Sequence, residues 1–175
     1  MVTLLGISGS LRRASTNTML VREAARLFAP DRFEMADLRL PLYDGDLEAD
    51  GLPEPVERLL GRIEAADALV ISTPEYNKMP SGVLKNALDW ISRRKPWVTA
   101  GKPCVVLSAT AGNAGGERAT SGLYLMLIPF QLNVIHNPEV FVGRAHTKFD
   151  EDGRITDEAT LDFLAKKMDA LRAAL

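Results

Sequence analysis

Short apolar runs alternate with amphipathic stretches along the whole chain. Residues 2–8, 68–72 and 104–108 are almost continuously apolar or small, too short for helices, and bounded by polar or glycine-bearing segments. Each reads as a strand buried on both faces. Residues 33–37 form a weaker second strand, and residues 133–142 a fifth, with Pro138 tolerable near a sheet edge. Between the strands, apolar residues recur every three or four positions: Leu20, Ala24, Leu27 and Phe28 within 16–28, and Val56, Leu59, Leu60 and Ile63 within 54–66. Val83, Leu84, Ala87, Leu88 and Ile91 follow Ser81, which is placed to cap their helix. A last helix carries Leu161, Leu164, Met168, Leu171 and Leu175 on one stripe, and the very apolar 123–132 reads as a helix interrupted by Pro129. Residues 41–55, rich in Pro, Gly and Asp, read as a long loop. The alternation predicts an α/β domain over 1–175: a doubly wound, five-stranded parallel sheet in the order 2-1-3-4-5, with helices on both faces. In such a sheet ligands bind beyond the carboxyl ends of the strands, at the switch point between strands one and three.

Three loops fall on that rim. The first, Gly6-Ile7-Ser8-Gly9-Ser10-Leu11-Arg12-Arg13-Ala14-Ser15-Thr16-Asn17, joins a strand to a helix start. Such a junction aims free backbone N–H groups and the positive end of a helix dipole at one point, which suits an anion. Ser10, Ser15 and Thr16 add hydroxyls, Asn17 an amide, and Arg12 a guanidinium able to grip a phosphate bidentately. The loop has neither G-x-x-x-x-G-K-[ST] nor G-x-G-x-x-G, which argues against a P-loop nucleotidase and against the usual dinucleotide fingerprint. A hydroxyl-rich loop suits a terminal monophosphate; the plainer alternative is a turn that only caps the helix. The second loop, 73–80, is fenced by Pro74 and Pro80, and the third, 109–116, is rich in glycine.

Composition narrows the field. The chain has 175 residues, 46% hydrophobic and 25% charged, enough for one sizeable core. A net charge of −2 points to neither nucleic acid nor an anionic membrane. No apolar run approaches a membrane span, and no basic segment precedes the first apolar run, so a cytoplasmic setting is expected. One cysteine excludes an intramolecular disulfide and a cysteine-built zinc site; Cys104, in a buried strand, reads as an inert core residue. His136 and His146 lack any partner pattern, and no metal is expected.

The motifs Gly9-Ser10-Leu11-Arg12 with Ser15-Thr16-Asn17, Pro74-Glu75-Tyr76-Asn77, and Pro80-Ser81-Gly82-Val83-Leu84-Lys85-Asn86-Ala87-Leu88-Asp89-Trp90 resemble the NAD(P)H-dependent FMN reductases of flavodoxin-like fold. That group includes quinone, chromate and azo-dye reductases. Gly101-Lys102-Pro103, Gly115-Gly116 and Asn137-Pro138-Glu139 extend the likeness over nearly the whole chain. The resemblance implies that Ser10, Arg12, Ser15 and Asn17 hold an FMN phosphate, that Pro74, Glu75, Tyr76 and Asn77 frame the isoalloxazine ring, and that Ser108 and Gly112 touch its ribityl or pyrimidine side. It implies NADPH or NADH as hydride donor, a quinone or similar small acceptor, a ping-pong order, and a homodimer, with a tetramer as the alternative. The flavin carries the chemistry, so no side-chain acid, base or nucleophile is required. The rival reading is a flavodoxin-type electron carrier; the near-neutral charge and Arg12 argue against it.

Overall fold

The computed structural model covers residues 1–175. Its parallel sheet runs β2-β1-β3-β4-β5, as the sequence predicts. The strands are β1 (Thr3–Ser8), β2 (Arg32–Met35), β3 (Ala68–Ser72), β4 (Pro103–Ala109) and β5 (Asn133–Ile135). Side chains alternate across the sheet, so each central strand feeds two cores. Leu5, Ile7, Leu69, Ile71, Cys104 and Val106 face one of them, with α3 (Glu54–Ala65), α4 (Gly82–Ile91) and α5 (Glu117–Leu127). Leu4, Ala68, Val70, Val105 and Leu107 face the other, with α1 (Thr16–Phe28) and α6 (Glu158–Arg172). Each fully buried Leu, Ile or Val contributes roughly 1.5–3 kcal/mol, which is why the two-faced apolar runs dominate the fold. Gly6 lets α1 lie directly on β1: a Cβ there would meet Val21 Cγ1 at 2.4 Å. No helix is long and apolar enough to cross a membrane.

Four sequence expectations need correction. The expected strand 133–142 is broken. Its start, β5, pairs with β4 at Pro103–Val105, and a separate piece, β6 (Phe141–Val142), pairs with the far end of β4 at Ser108 and Ala109. Pro138, with no N–H to donate, sits in the break. There the fully buried Lys167 of α6 donates to the carbonyls of Ile135 and His136, each at 2.7 Å. Desolvation pulls its pKa down to about 8. Second, the apolar segment 123–132 is the later part of α5, which begins at Glu117 and passes into a 3-10 turn at Ile128–Phe130, where Pro129 ends regular bonding. Third, the 41–55 loop contains a short helix, α2 (Gly45–Ala49), capped by Asp44. Leu175 lies beyond the end of α6 and is exposed, so the core stripe ends at Leu171.

The braces that matter for the site sit at the carboxyl ends of β1, β3 and β4. Ser81 caps α4, accepting from Leu84 N, and its hydroxyl donates to Gly9 O at 2.6 Å. A Cβ on Gly9 would come within 2.9 Å of that hydroxyl. The loop after β1 and the loop after β3 are thus held against each other by direct contact.

Candidate functional site

A cleft of about 560 Å³ opens over the carboxyl ends of β1, β3 and β4. Ser10, Arg12, Ser15, Thr16, Asn17, Pro74, Glu75, Tyr76 and Gly112, all selected from sequence, line it together. The volume lies within the usual range for cofactor pockets.

At one end stands the start of α1. Ser15 caps it, accepting from Thr18 N at 3.3 Å. The N–H groups of Thr16 and Asn17 have no acceptor within the helix. Ser10 and the exposed, unpaired Arg12 stand beside them. This end therefore offers N–H, hydroxyl and guanidinium donors. The only carboxylate lining the cleft is that of Glu75, and it is occupied: it accepts from Ala119 N at 3.3 Å and meets Arg118 at 3.4 Å. Glu75 thus fastens the 74–80 loop to the first turn of α5.

The other end is made of backbone and ring. Tyr76 and Met79 exchange backbone hydrogen bonds of 3.0 and 3.1 Å around Asn77 and Lys78, both with positive φ. This is a tight hairpin turn whose left-handed residues suit its twist. Half of Tyr76 is exposed. Across the cleft, the 110–113 loop is pressed against the segment after β6. A Cβ at Gly143 would meet Asn113 O at 2.3 Å, and Arg144 N and Ala145 N donate to Gly112 O and Thr110 O.

Three of the selected residues differ from expectation in their surroundings. Ser108 does not line the cleft. It is fully buried, and its hydroxyl donates to Thr73 O at 2.6 Å; Thr110 and Ala111, just beyond it, line the cleft. Asn77 stands at the exposed tip of the turn, outside the lining. Asn17 lines the cleft, but its amide is committed inward: Oδ1 accepts from Ser72 Oγ at 2.8 Å and Ala109 N at 3.1 Å, and Nδ2 donates to Ala109 O at 2.8 Å. Past the last backbone rung, Thr73 N to Leu107 O, this amide stands in for the next residue of β3. Its backbone N–H is what remains for a ligand. Ala145 and His146 also line the cleft and carried no sequence signal, because only the broken fifth strand brings them there. Trp97 packs under its own loop against Phe130, with ring centres 5.3 Å apart. Cys104 is fully buried, and desolvation pushes its thiol up to about 12, which keeps it protonated and unreactive.

The donor set fits FMN. A phosphate suits the α1 end, where hydrogen-bond donors are free, and a flat ring suits the peptide-lined end between the 74–77 and 110–112 segments. The model of a family described as NADPH-dependent FMN reductase matches residues 2–147. The chain is 41% identical over 173 residues to an NAD(P)H-dependent FMN reductase of Pseudomonas aeruginosa, spanning 98% of this chain and 94% of the relative. It is 39% identical over 175 residues to a quinone reductase of Escherichia coli, spanning 97% and 91%. Among solved structures, the flavoenzyme NAD(P)H:(acceptor) oxidoreductase FerB of Paracoccus denitrificans superposes with a TM-score of 0.87 at 35% identity, over 98% of this chain and 95% of that one.

Proposed function

We propose, for a chain that belongs to the NADPH-dependent FMN reductase family, that it binds FMN in the cleft over β1, β3 and β4 and passes electrons from NAD(P)H to a quinone. The protein is an oxidoreductase of flavodoxin-like fold that uses FMN and NAD(P)H. The observation carrying the site assignment is the convergence of a free-donor end, at α1, with a peptide-walled end, at the 74–77 and 110–112 segments, in one cleft.

When bound, FMN supplies hydride acceptance from the nicotinamide and delivery of electrons to the acceptor. The chain's own residues hold and orient. Ser10, Arg12 and the first N–H groups of α1 take the phosphate. Pro74, Glu75 and Tyr76 wall the ring, with Glu75 fixing the loop to α5 rather than acting as a base. Backbone N–H groups near Gly112 are the candidates to favour negative charge on the ring's pyrimidine side. One open cleft serving donor and acceptor in turn supports a ping-pong order.

A homodimer belongs to the same proposal. Met79, Leu125 and Ile128 expose large apolar side chains along α5 and the adjoining turn, a surface suited to a second copy. A reducing, cytoplasmic setting suits the single buried thiol. The test is the absorption spectrum of purified protein, recorded before and after anaerobic NADPH and then after a quinone. Flavin bands that bleach with NADPH and return with quinone are expected. A protein that takes up no FMN refutes the site, and flavin bands untouched by both NADPH and NADH refute the activity.

A further inference from the structure

A second groove, of about 540 Å³, opens on the other side of the loop after β1, between α1 and the segment following β2. It shares Ser10 and Arg12 with the cofactor cleft, and Arg13, Arg22, Asp37 and Arg39 complete its charged lining. Arginines elsewhere in this chain find partners, either carboxylates or backbone carbonyls. Only the side chains of Arg12, Arg13, Arg22 and Arg144 donate to no other group, and the first three all line this groove. The fourth arginine there, Arg39, is bound to the carboxylate of Asp37 at 3.2 Å. The groove therefore carries a concentrated positive charge with its one acid already neutralised. With Arg12 assigned to the FMN phosphate, the Arg13 and Arg22 guanidinium groups still donate to no other group, and their planar forks match a phosphate.

We propose that this groove seats the 2′-phosphate of NADPH, and that Arg13, Arg22 and Arg39 set a preference for NADPH over NADH. The assignment rests on the FMN and NAD(P)H reading above. Under that reading two phosphate-bearing molecules meet on this protein. The phosphate of FMN is provided for by the first turn of α1, in the other cleft. The phosphomonoester left over is the one that distinguishes NADPH from NADH. Asp37, just beyond β2, has its carboxylate and its charge taken up by Arg39. What a ligand meets there is arginine.

The test is calorimetric titration of the FMN-loaded protein with adenosine 2′,5′-bisphosphate and, separately, with adenosine 5′-monophosphate. The bisphosphate should bind at least about tenfold more tightly, as expected for a charged hydrogen-bond set. In Arg22→Ala and Arg13→Ala, both exposed positions, that advantage should shrink towards parity, and the ratio of KM for NADPH to KM for NADH should rise by about tenfold. Equal affinity of the two nucleotides in the unmodified protein would overturn the proposal. So would an advantage that survives both substitutions, or displacement by inorganic phosphate at the same concentrations as the bisphosphate, which would mark a groove for any phosphate. Failure of the FMN reading would show separately, as a chain that takes up no flavin.

Discussion

Replacing Asn17 with Ala separates two roles that the sequence merges. The substitution removes all three side-chain hydrogen bonds of a residue that is almost fully buried. The Ser72 hydroxyl is free to rotate about its C–O bond. The N–H and carbonyl of Ala109 cannot, because β3 has already turned away at Thr73 and Ala109 is itself buried. Two stranded backbone groups at about 1–3 kcal/mol each give a loss on the order of 3 kcal/mol. At a urea m-value of about 2 kcal/mol/M the unfolding midpoint should fall by about 1.5 M. The assay is urea unfolding of the flavin-free protein, followed by the fluorescence of Trp90 and Trp97. It must be flavin-free, because bound cofactor would add its own linkage to the apparent stability. If the midpoint stays within about 0.3 M of the unmodified protein while FMN affinity drops, the amide is a ligand and not a clamp, and the reasoning fails.

Other outcomes follow from the same structure. Arg12→Ala should weaken FMN by about 2 kcal/mol, roughly thirtyfold in Kd, by losing a charged hydrogen-bond pair; fluorescence titration checks this, and unchanged affinity would remove Arg12 from the phosphate site. Lys167, pulled from 10.5 down to about 8, leaves the unfolded chain holding more protons than the folded one above pH 8, so stability should rise from pH 8 to 9. Above pH 9 the raised pKa of Cys104, and then that of Tyr124, act in the opposite direction, because burial keeps them protonated in the fold, and the rise should flatten. Lys167→Met should abolish the pH 8–9 slope in denaturant melts, and a persisting slope would show that another group is responsible. Cys104→Ala should leave NADPH-driven turnover within about twofold, with a stability loss of about 1–2 kcal/mol for the small cavity; loss of turnover in a folded variant would expose a reactive thiol.

Much of this molecule was legible in its sequence because the informative signals are local. Two-faced apolar runs gave the central strands, and Ser81 gave the start of α4. The anion end was legible for the same reason: a strand, a glycine-bearing loop and a helix start occur in one contiguous segment. What stayed hidden depends on distant neighbours. The fifth strand breaks where Lys167, some thirty residues further on, reaches the carbonyls of Ile135 and His136. Ser108 is read from sequence as a cleft residue, and only the course of β4 past Thr73 turns its hydroxyl inward. Asn17 satisfies a phosphate-loop pattern whether its amide points outward or inward; the inward choice is set by two β4 backbone groups that no local motif records.

The contact between Ser81 and Gly9 has a consequence for which molecules the cleft admits. The hydroxyl of one loop touches the backbone of the other at 2.6 Å, with no room for a side chain between them. The span from the α1 donors to the 74–77 turn is therefore fixed before any ligand arrives, like the jaws of a calliper locked at one setting. A flavin is measured by length. If FMN lies as proposed, riboflavin, which stops short at its terminal hydroxyl, would leave the α1 donors without a phosphate.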